Sequence, residues 1–159
     1  MFFPLTITGG RGLRRYSSTD PEDVYITDRA GKLKICNERL QWLRGFKTPN
    51  KCILDVGAGN GAFVKASTDA GYNALGFDSC PEAVALAKKM FNTDLRGSIN
   101  DIPNIPDYGI VTLWDVVEHL NDPVTMLRGI YTRMANNGLL VIETCNWASP
   151  HRLKEGDAW

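Results

Sequence analysis

A glycine-rich turn beside a carboxylate is the part of this sequence best suited to chemistry. Residues 55–62 read DVGAGNGA and follow a short apolar run, so the glycines predict a tight turn that lets backbone approach a ligand closely. Gly57, Gly59 and Ala62 satisfy the spacing of dinucleotide-binding turns. Asp78, 21 residues after Gly57, is placed to accept hydrogen bonds from ribose hydroxyls. The motif alone therefore indicates a ligand that contains a nucleoside, which is either a dinucleotide or a nucleoside compound without phosphate.

Charge favours one of these two kinds of ligand. A pyrophosphate requires N–H dipoles without an adjacent anion, whereas Asp55 directly precedes the turn. Asp78 and Asp115 are predicted at the ends of two further strands. We therefore expect an acidic rim that attracts a cationic, phosphate-free ligand and repels a dinucleotide. The alternative is that Asp55 is a turn or cap residue.

Strand and helix patterns alternate along the segments that must position these residues. We predict strands over 51–56, 73–77, near 94–97, 110–114 and 139–144. Helices are predicted from Lys32 to Gly45, from the glycine turn to Gly71, from a cap at Ser79 to about Phe91, and from Pro123 to Asn137. This alternation predicts an α/β fold, with a mostly parallel sheet covered by helices on both faces. Ligands bind such sheets beyond the carboxyl ends of the strands.

Caps and apolar faces define the predicted helices more closely. Ser79 and Glu82 form a capping-box pattern, and Asn121 or Asp122 is expected to cap the last helix. The apolar face of the first helix is predicted to comprise Leu33, Cys36, Leu40 and Leu43. The apolar face of the last helix is predicted to comprise Leu127, Ile130, Tyr131 and Met134.

Composition places the chain in the class of soluble globular proteins. Its 159 residues carry 18 basic and 18 acidic side chains, so no long-range field draws it to nucleic acid or to an anionic membrane. Four cysteines without metal-site spacing indicate no zinc centre and a reducing compartment, so we expect a cytoplasmic protein. The alternative is a transit peptide, because the first 19 residues carry three arginines and no acid. We assign residues 1–30 to an N-terminal arm, 31–146 to one domain and 147–159 to a tail.

Four segments taken together resemble one known family. They are ILDVGAGNG (53–61), GFDSCPEAVALAK (76–88), LWDVVEHLNDP (113–123) and GLLVIETCN (138–146). They resemble the class I methyltransferases that use S-adenosylmethionine, especially the branch related to ubiquinone-biosynthesis O-methyltransferases. The resemblance spans about residues 50–146 and implies a Rossmann-like sheet with S-adenosylmethionine as cofactor.

The resemblance also implies which residues hold this cofactor. Those around its methionine part would be Asp55, Gly57, Ala58, Gly59 and Gly61. Asp78 and Ser79 would lie beside the ribose, and Ser98 and Ile99 would flank the adenine. Trp114 and Asp115 would line the sulfonium end of the pocket.

Two departures from the family pattern bear on this assignment. Ser98 stands where the family often has aspartate, and Asp101 is the residue that could compensate. Only 13 residues follow Asn146, too few for the family's final helix and strands. We therefore expect either a fragment, or a last strand whose exposed edge is covered by a second copy of the chain or by the N-terminal arm.

The candidate catalytic group is His119, which follows the fourth predicted strand. Its unperturbed pKa suits a general base that takes a proton from a hydroxyl acceptor. The alternative is a histidine that only packs or caps the loop. We expect a methyltransferase acting on a small molecule at oxygen, with no nucleic-acid or membrane partner. The rival hypotheses are a methyltransferase-like scaffold without turnover and a nucleotide-dependent oxidoreductase.

Overall fold

Four parallel strands form the centre of the described part of the chain. The structure is a computed structural model that describes residues 28–105, 107–146, 148 and 154. Its strands are β1 (Cys52–Val56), β2 (Asn73–Phe77), β3 (Tyr108–Trp114) and β4 (Met134–Glu143). They are hydrogen-bonded in the order β2-β1-β3-β4, and every pair is parallel.

Helices cover both faces of this sheet, as the sequence predicted. They are α1 (Arg29–Leu43), α2 (Ala62–Asp69), α3 (Pro81–Phe91) and α4 (Pro123–Tyr131), with 3-10 turns at Ile99–Asp101 and Val117–His119. On one face, side chains of α1, α2 and the end of α3 pack around Ile53 and Ile110. On the other face, Ile130 of α4 packs around Leu54 and Val111. The predicted α/β architecture is therefore confirmed.

The strand order places a crevice where the predicted site residues lie. The chain passes from β1 outward to β2, then returns to add β3 on the other side of β1. The connections after β1 and β3 therefore diverge to opposite sides, which leaves a gap above their carboxyl ends. Asp55 and Thr112 are paired across these two strands, so both lie beneath that gap.

The predicted third strand near 94–97 is wrong. Only one residue, Arg96, forms a bridge to the β2 edge, opposite Phe77. Its N–H donates to Gly76 O at 3.0 Å, and its carbonyl accepts from Asp78 N at 3.0 Å. The chain then leaves the sheet, because Ser98 caps the next 3-10 turn by accepting a hydrogen bond from Asn100 N.

The boundary between the last helix and the last strand is also wrong. Helix α4 ends at Tyr131, six residues before Asn137, and Met134 already pairs with Tyr108 in the sheet. Asn137 adopts a left-handed φ of 61° within β4, where the register with β3 shifts. The Asn137–Gly138 pair therefore forms an irregularity in a strand, although the same pair is typical of a helix end. Tyr131, predicted to be buried, is 62% exposed.

The observed caps differ in part from the predicted ones. Asp122 caps α4 by accepting from Thr125 N, as predicted. The capping box is wrong, because α3 begins after Cys80 and has no side-chain hydrogen bond at its cap. The carboxylate of Glu82 accepts from the thiol of Cys80 instead. The helix predicted from Lys32 begins three residues earlier, at Arg29.

Several predictions concern the ends of the chain. The arm assigned to residues 1–30 lies outside the described residues except for 28–30, and α1 begins within these three. The tail 147–159 is described only at residues 148 and 154. Within the described part of the chain, no helix has both the length and the apolar character required to cross a membrane.

Candidate functional site

The turn after β1 is built on three glycines with left-handed backbone. Gly57, Gly59 and Gly61 have φ values of 68°, 52° and 74°. A Cβ added to Gly57 would lie 2.5 Å from Cγ2 of Val116, and one added to Gly61 would lie 2.9 Å from the Cβ of Ala87. A Cβ added to Gly59 would meet no atom within 4 Å. Two of the glycines thus permit close packing, while the third borders open space.

Asp78 joins this turn to the start of α3. One carboxylate oxygen accepts from Gly59 N at 2.8 Å, and the other accepts from Cys80 N at 2.9 Å. Each carboxylate oxygen has two lone pairs, so both retain the capacity to accept a further hydrogen bond. Asp78 therefore presents acceptors beside the open space at Gly59, while Ser79 next to it is exposed.

Asp55 lies below the rim instead of on it. Its side chain is 2% exposed and accepts a hydrogen bond from Thr112 Oγ1 at 2.7 Å. Burial raises the pKa of this carboxyl from 3.8 to about 7, while the Thr112 hydrogen bond and the charge of Arg39 oppose the rise. The expected open acidic rim is therefore formed by Asp78 and Asp115, with Asp55 enclosed beneath them.

Arg39 of α1 reaches across the end of β3, and the sequence analysis missed it. Its guanidinium is hydrogen-bonded to Glu143, lies 3.8 Å from the carboxylate of Asp115, and sits 4.3 Å above the ring of Trp114. Trp114 in turn meets Phe63 edge to face at 5.2 Å. The sequence does contain a signal for Arg39, because the residue lies three positions after Cys36 and four before Leu43, on the predicted apolar face of this helix.

The carboxylate of Asp115 lies in a crowded electrostatic environment. Its backbone is left-handed, with φ 55°, and its N–H donates to Glu143 O at 2.8 Å. Burial and then the charge of Glu143 raise the pKa of Asp115, while Arg39 lowers it. Glu118 and His119 also contribute to this environment, so the structure brings His119 near the carboxylate at the end of β3.

Other predicted residues lie at the edges of this group. Ser98 and Ile99 follow the bridge residue Arg96, and the backbone of that residue is hydrogen-bonded to Asp78 N. Ile99 packs against the α4-side core, whereas Asp101 is exposed. His119 is exposed at the end of the second 3-10 turn.

One side-chain cluster was not anticipated from cysteine spacing. Asp115, Glu118 and Cys145 place one potential metal-ligand atom each within 4.8 Å of one another. Cys145 lies two residues beyond β4, so the cluster forms only when the ends of β3 and β4 are brought together. The side chains of Glu118 and Cys145 are exposed, and exposed acidic groups commonly come together without binding a metal ion.

The sequence of this chain is similar to those of known methyltransferases. A family model described as "Methyltransferase domain" matches residues 27–159. A ubiquinone biosynthesis O-methyltransferase from Hydrogenovibrio crunogenus is 26% identical over 123 residues, which cover 71% of this chain and 51% of that protein. The mitochondrial enzyme of the same name from Schizosaccharomyces pombe is 28% identical over 103 residues, covering 59% and 38%. The chain thus spans about half or less of the length of these curated relatives.

A solved structure shows the same fold. The crystal structure of a SAM-dependent methyltransferase from Archaeoglobus fulgidus matches with a TM-score of 0.66 at 23% identity. The match covers 85% of this chain and 63% of that one. This likeness confirms the Rossmann-like architecture.

The buried carboxyl of Asp55 predicts a pH dependence of stability. Between about pH 4 and 7 the folded protein holds a proton that the unfolded chain has released, so the free energy of unfolding falls as pH rises through this window. The loss is on the order of 4 kcal/mol, from about three pKa units at about 1.4 kcal/mol each. Asp55→Asn should flatten this slope, and urea unfolding from pH 4 to 8 measures it.

Thr112→Val provides the matched variant for this prediction. It removes the hydrogen bond that lowers the pKa of Asp55 in the folded protein, so the upper end of the pH window should move upward while its lower end stays in place. An equal slope in the wild type and in Asp55→Asn would show that Asp55 is not the group that titrates.

Proposed function

This chain belongs to the methyltransferase domain family, and we propose that it transfers a methyl group from S-adenosylmethionine to a small-molecule acceptor at oxygen. The observation that carries the proposal is the carboxylate of Asp78, which is held by Gly59 N–H and Cys80 N–H beside open space at the glycine turn. An anchored acceptor next to a half-buried glycine turn, with open space at Gly59, fits a nucleoside sugar and the chain attached to it.

The donor set of the site fits the two ends of this cofactor. Asp78 would accept from the ribose hydroxyls, and the Gly57–Gly61 turn, with Ala58 within it, would lie against the methionine part. Arg39 offers a guanidinium to the methionine carboxylate, since fork-shaped donors suit carboxylates. Ser98 and Ile99 would flank the adenine, because they follow the strand-like residue that is hydrogen-bonded to Asp78 N.

The sulfonium end would lie near Trp114 and Asp115. When bound, S-adenosylmethionine supplies a methyl carbon already activated by a positively charged sulfur, so the protein's main task is alignment. The guanidinium of Arg39 lies 4.3 Å above the ring of Trp114, and the attraction of aromatic rings for cations supports a positively charged group near this ring. The Asp115 carboxylate adds negative charge at the same strand end. Asp55, enclosed beneath, would favour a cationic ligand most strongly when ionised.

Oxygen as the acceptor atom is supported by two kinds of observation. The curated relatives are named as O-methyltransferases, although at 26% and 28% identity. His119 is exposed beside the Asp115 end of the site, where an imidazole can take a proton from an incoming hydroxyl. We assign His119 the role of general base on this ground.

Asp78→Ala tests the proposed cofactor site. The variant removes a charged acceptor that ribose hydroxyls would use, so the affinity for S-adenosylhomocysteine should fall at least about tenfold. Isothermal calorimetry measures this change. Asp69→Ala is the matched control, since Asp69 is an exposed carboxylate paired with Lys65 at the end of α2.

Two results would contradict this proposal. One is a wild-type protein that binds neither S-adenosylmethionine nor its demethylated product at millimolar concentration. The other is an Asp78→Ala variant whose affinity equals that of Asp69→Ala. Protection of the fold by NAD but not by S-adenosylmethionine would favour the oxidoreductase alternative.

His119→Ala tests the proposed base and the acceptor atom. With catechol as a hydroxyl probe and aniline as an amine probe, methyl transfer should occur to catechol oxygen. The variant should lower kcat roughly 10²-fold, because a general base contributes about 10²–10⁴-fold. The affinity for S-adenosylhomocysteine should stay unchanged, because the imidazole would act on the acceptor and not on the cofactor.

Asn121→Ala, in the same exposed loop, is the control for this experiment. A kcat for His119→Ala equal to that of Asn121→Ala would remove His119 from the mechanism. Transfer to aniline in preference to catechol would contradict oxygen as the acceptor atom.

A further inference from the structure

Arg133 is a buried cation whose described partners are carbonyl oxygens. The residue is 8% exposed, and its guanidinium donates to Gly129 O at 2.8 Å and to Ile99 O at 3.2 Å. No carboxylate among the described residues forms an ion pair with it, and its Nε is buried without a partner there. A buried charge without an opposite charge costs free energy, so the contacts that Arg133 makes are candidates for a specific role.

One of these contacts reaches a segment that the sheet does not hold. Residues 98–105 follow a single bridge at Arg96 and precede β3, so ladder hydrogen bonds do not fix them. The carbonyl of Ile99 accepts from Ile102 N within the segment and from Arg133 outside it. The Arg133 contact spans 34 residues of sequence, and therefore ties this segment to the end of α4.

A second tie to the same segment lies farther along it. The hydroxyl of Thr132 shares its single proton between Oδ1 of Asn104 at 3.0 Å and Gly129 O at 2.9 Å, and Thr132 and Asn104 are both exposed. This contact reaches the far end of the segment without touching Ile99. Thr132 and Arg133 are adjacent in sequence, so each contact can be removed separately from nearly the same place.

The position of Ile99 connects Arg133 to the cofactor site. The carbonyl of Arg96 accepts from Asp78 N, and Ser98 and Ile99 follow two and three residues later. The segment that contains Ile99 therefore leaves the sheet edge within three residues of a backbone contact to Asp78, the residue assigned to the ribose. The guanidinium of Arg133 and the N–H of Ile102 both donate to the Ile99 carbonyl, so together they fix the direction of the backbone that would flank the base.

We propose that Arg133 is a positioning residue for the adenine end of the cofactor, acting through the Ile99 carbonyl. The inference rests on the proposed function, since it requires Ser98 and Ile99 to flank the base. In this role Arg133 acts through the backbone and makes no contact of its own with the cofactor. Its loss should relax the discrimination between bases, because a backbone held in one direction rejects the wrong hydrogen-bonding edge.

The test compares two ligands that differ only in the base. Calorimetry gives the affinity of each protein for S-adenosylhomocysteine and for S-inosylhomocysteine, in which an oxygen replaces the amino group of adenine. The wild type should prefer the adenosyl ligand. Arg133→Met, which keeps an apolar stem, should reduce this preference at least about fivefold. This reduction is smaller than the full effect of losing one hydrogen bond to a charged group. Thr132→Val should leave the preference unchanged.

Arg133→Lys keeps the experiment decisive if the methionine variant does not fold. A lysine retains the charge but offers a single nitrogen in place of a fork, so it should restore part of the preference at most. An equal loss of affinity for both ligands in the Arg133 variants would assign the residue a purely structural role and overturn the inference. The same holds if the wild type does not distinguish the two bases. A wild type that binds neither ligand would instead overturn the proposed function.

Discussion

The site depends on one carboxylate that holds two loops together. The oxygens of Asp78 accept hydrogen bonds from the backbone of Gly59 and of Cys80, on turns that leave neighbouring strands. Parallel strands bring such turns to one edge of the sheet, but they do not fix the distance between them. The left-handed backbone of Gly59 makes its N–H available to Asp78, and the absence of a side chain there leaves the adjacent space open. A single acidic residue thus both shapes the crevice and supplies acceptors within it.

Electrostatics at the strand ends is arranged in two levels. The lower level is Asp55, which is buried against Thr112. The pKa of Asp55 is about 7, so its charge changes with pH near neutrality. The upper level is the group around Arg39, in which a cation from α1 meets the carboxylates of Asp115 and Glu143 over an aromatic ring. The site therefore contains an internal cation among its acids, which suits a ligand that carries charges of both signs.

Much of this fold could be predicted from the sequence, because glycine and proline mark the element ends clearly. Strands β1 and β2 were predicted to within one residue, as was the start of α3 at Pro81. The resemblance to class I methyltransferases was confirmed by the family match. The end of α4 was not predicted correctly, because the pair Asn137–Gly138 fits a helix end and a strand irregularity equally well. Only the pairing of Met134 with Tyr108 decides between these two structures.

The contacts of the buried charged residues could not be predicted in the same way. Periodicity indicates that Arg39 interrupts an apolar face, but its partners Asp115 and Glu143 come from strands far away in sequence. Arg133 was hidden for a related reason, because it was assigned to a helix that ends two residues before it. The roles assigned to the site residues, including His119, stay predictions until ligand binding and turnover are measured.

The most direct test of the central claim compares Gly59→Ala with Gly71→Ala. Both glycines have left-handed φ and open space around an added Cβ, so both variants should lose similar stability, about 1–2 kcal/mol. Only Gly59 lies beside Asp78 in the proposed site. Calorimetry should show that Gly59→Ala weakens S-adenosylhomocysteine binding at least about tenfold, while Gly71→Ala binds like the wild type. Equal affinity in the two variants would contradict the claim that the glycine turn beside Asp78 holds the cofactor.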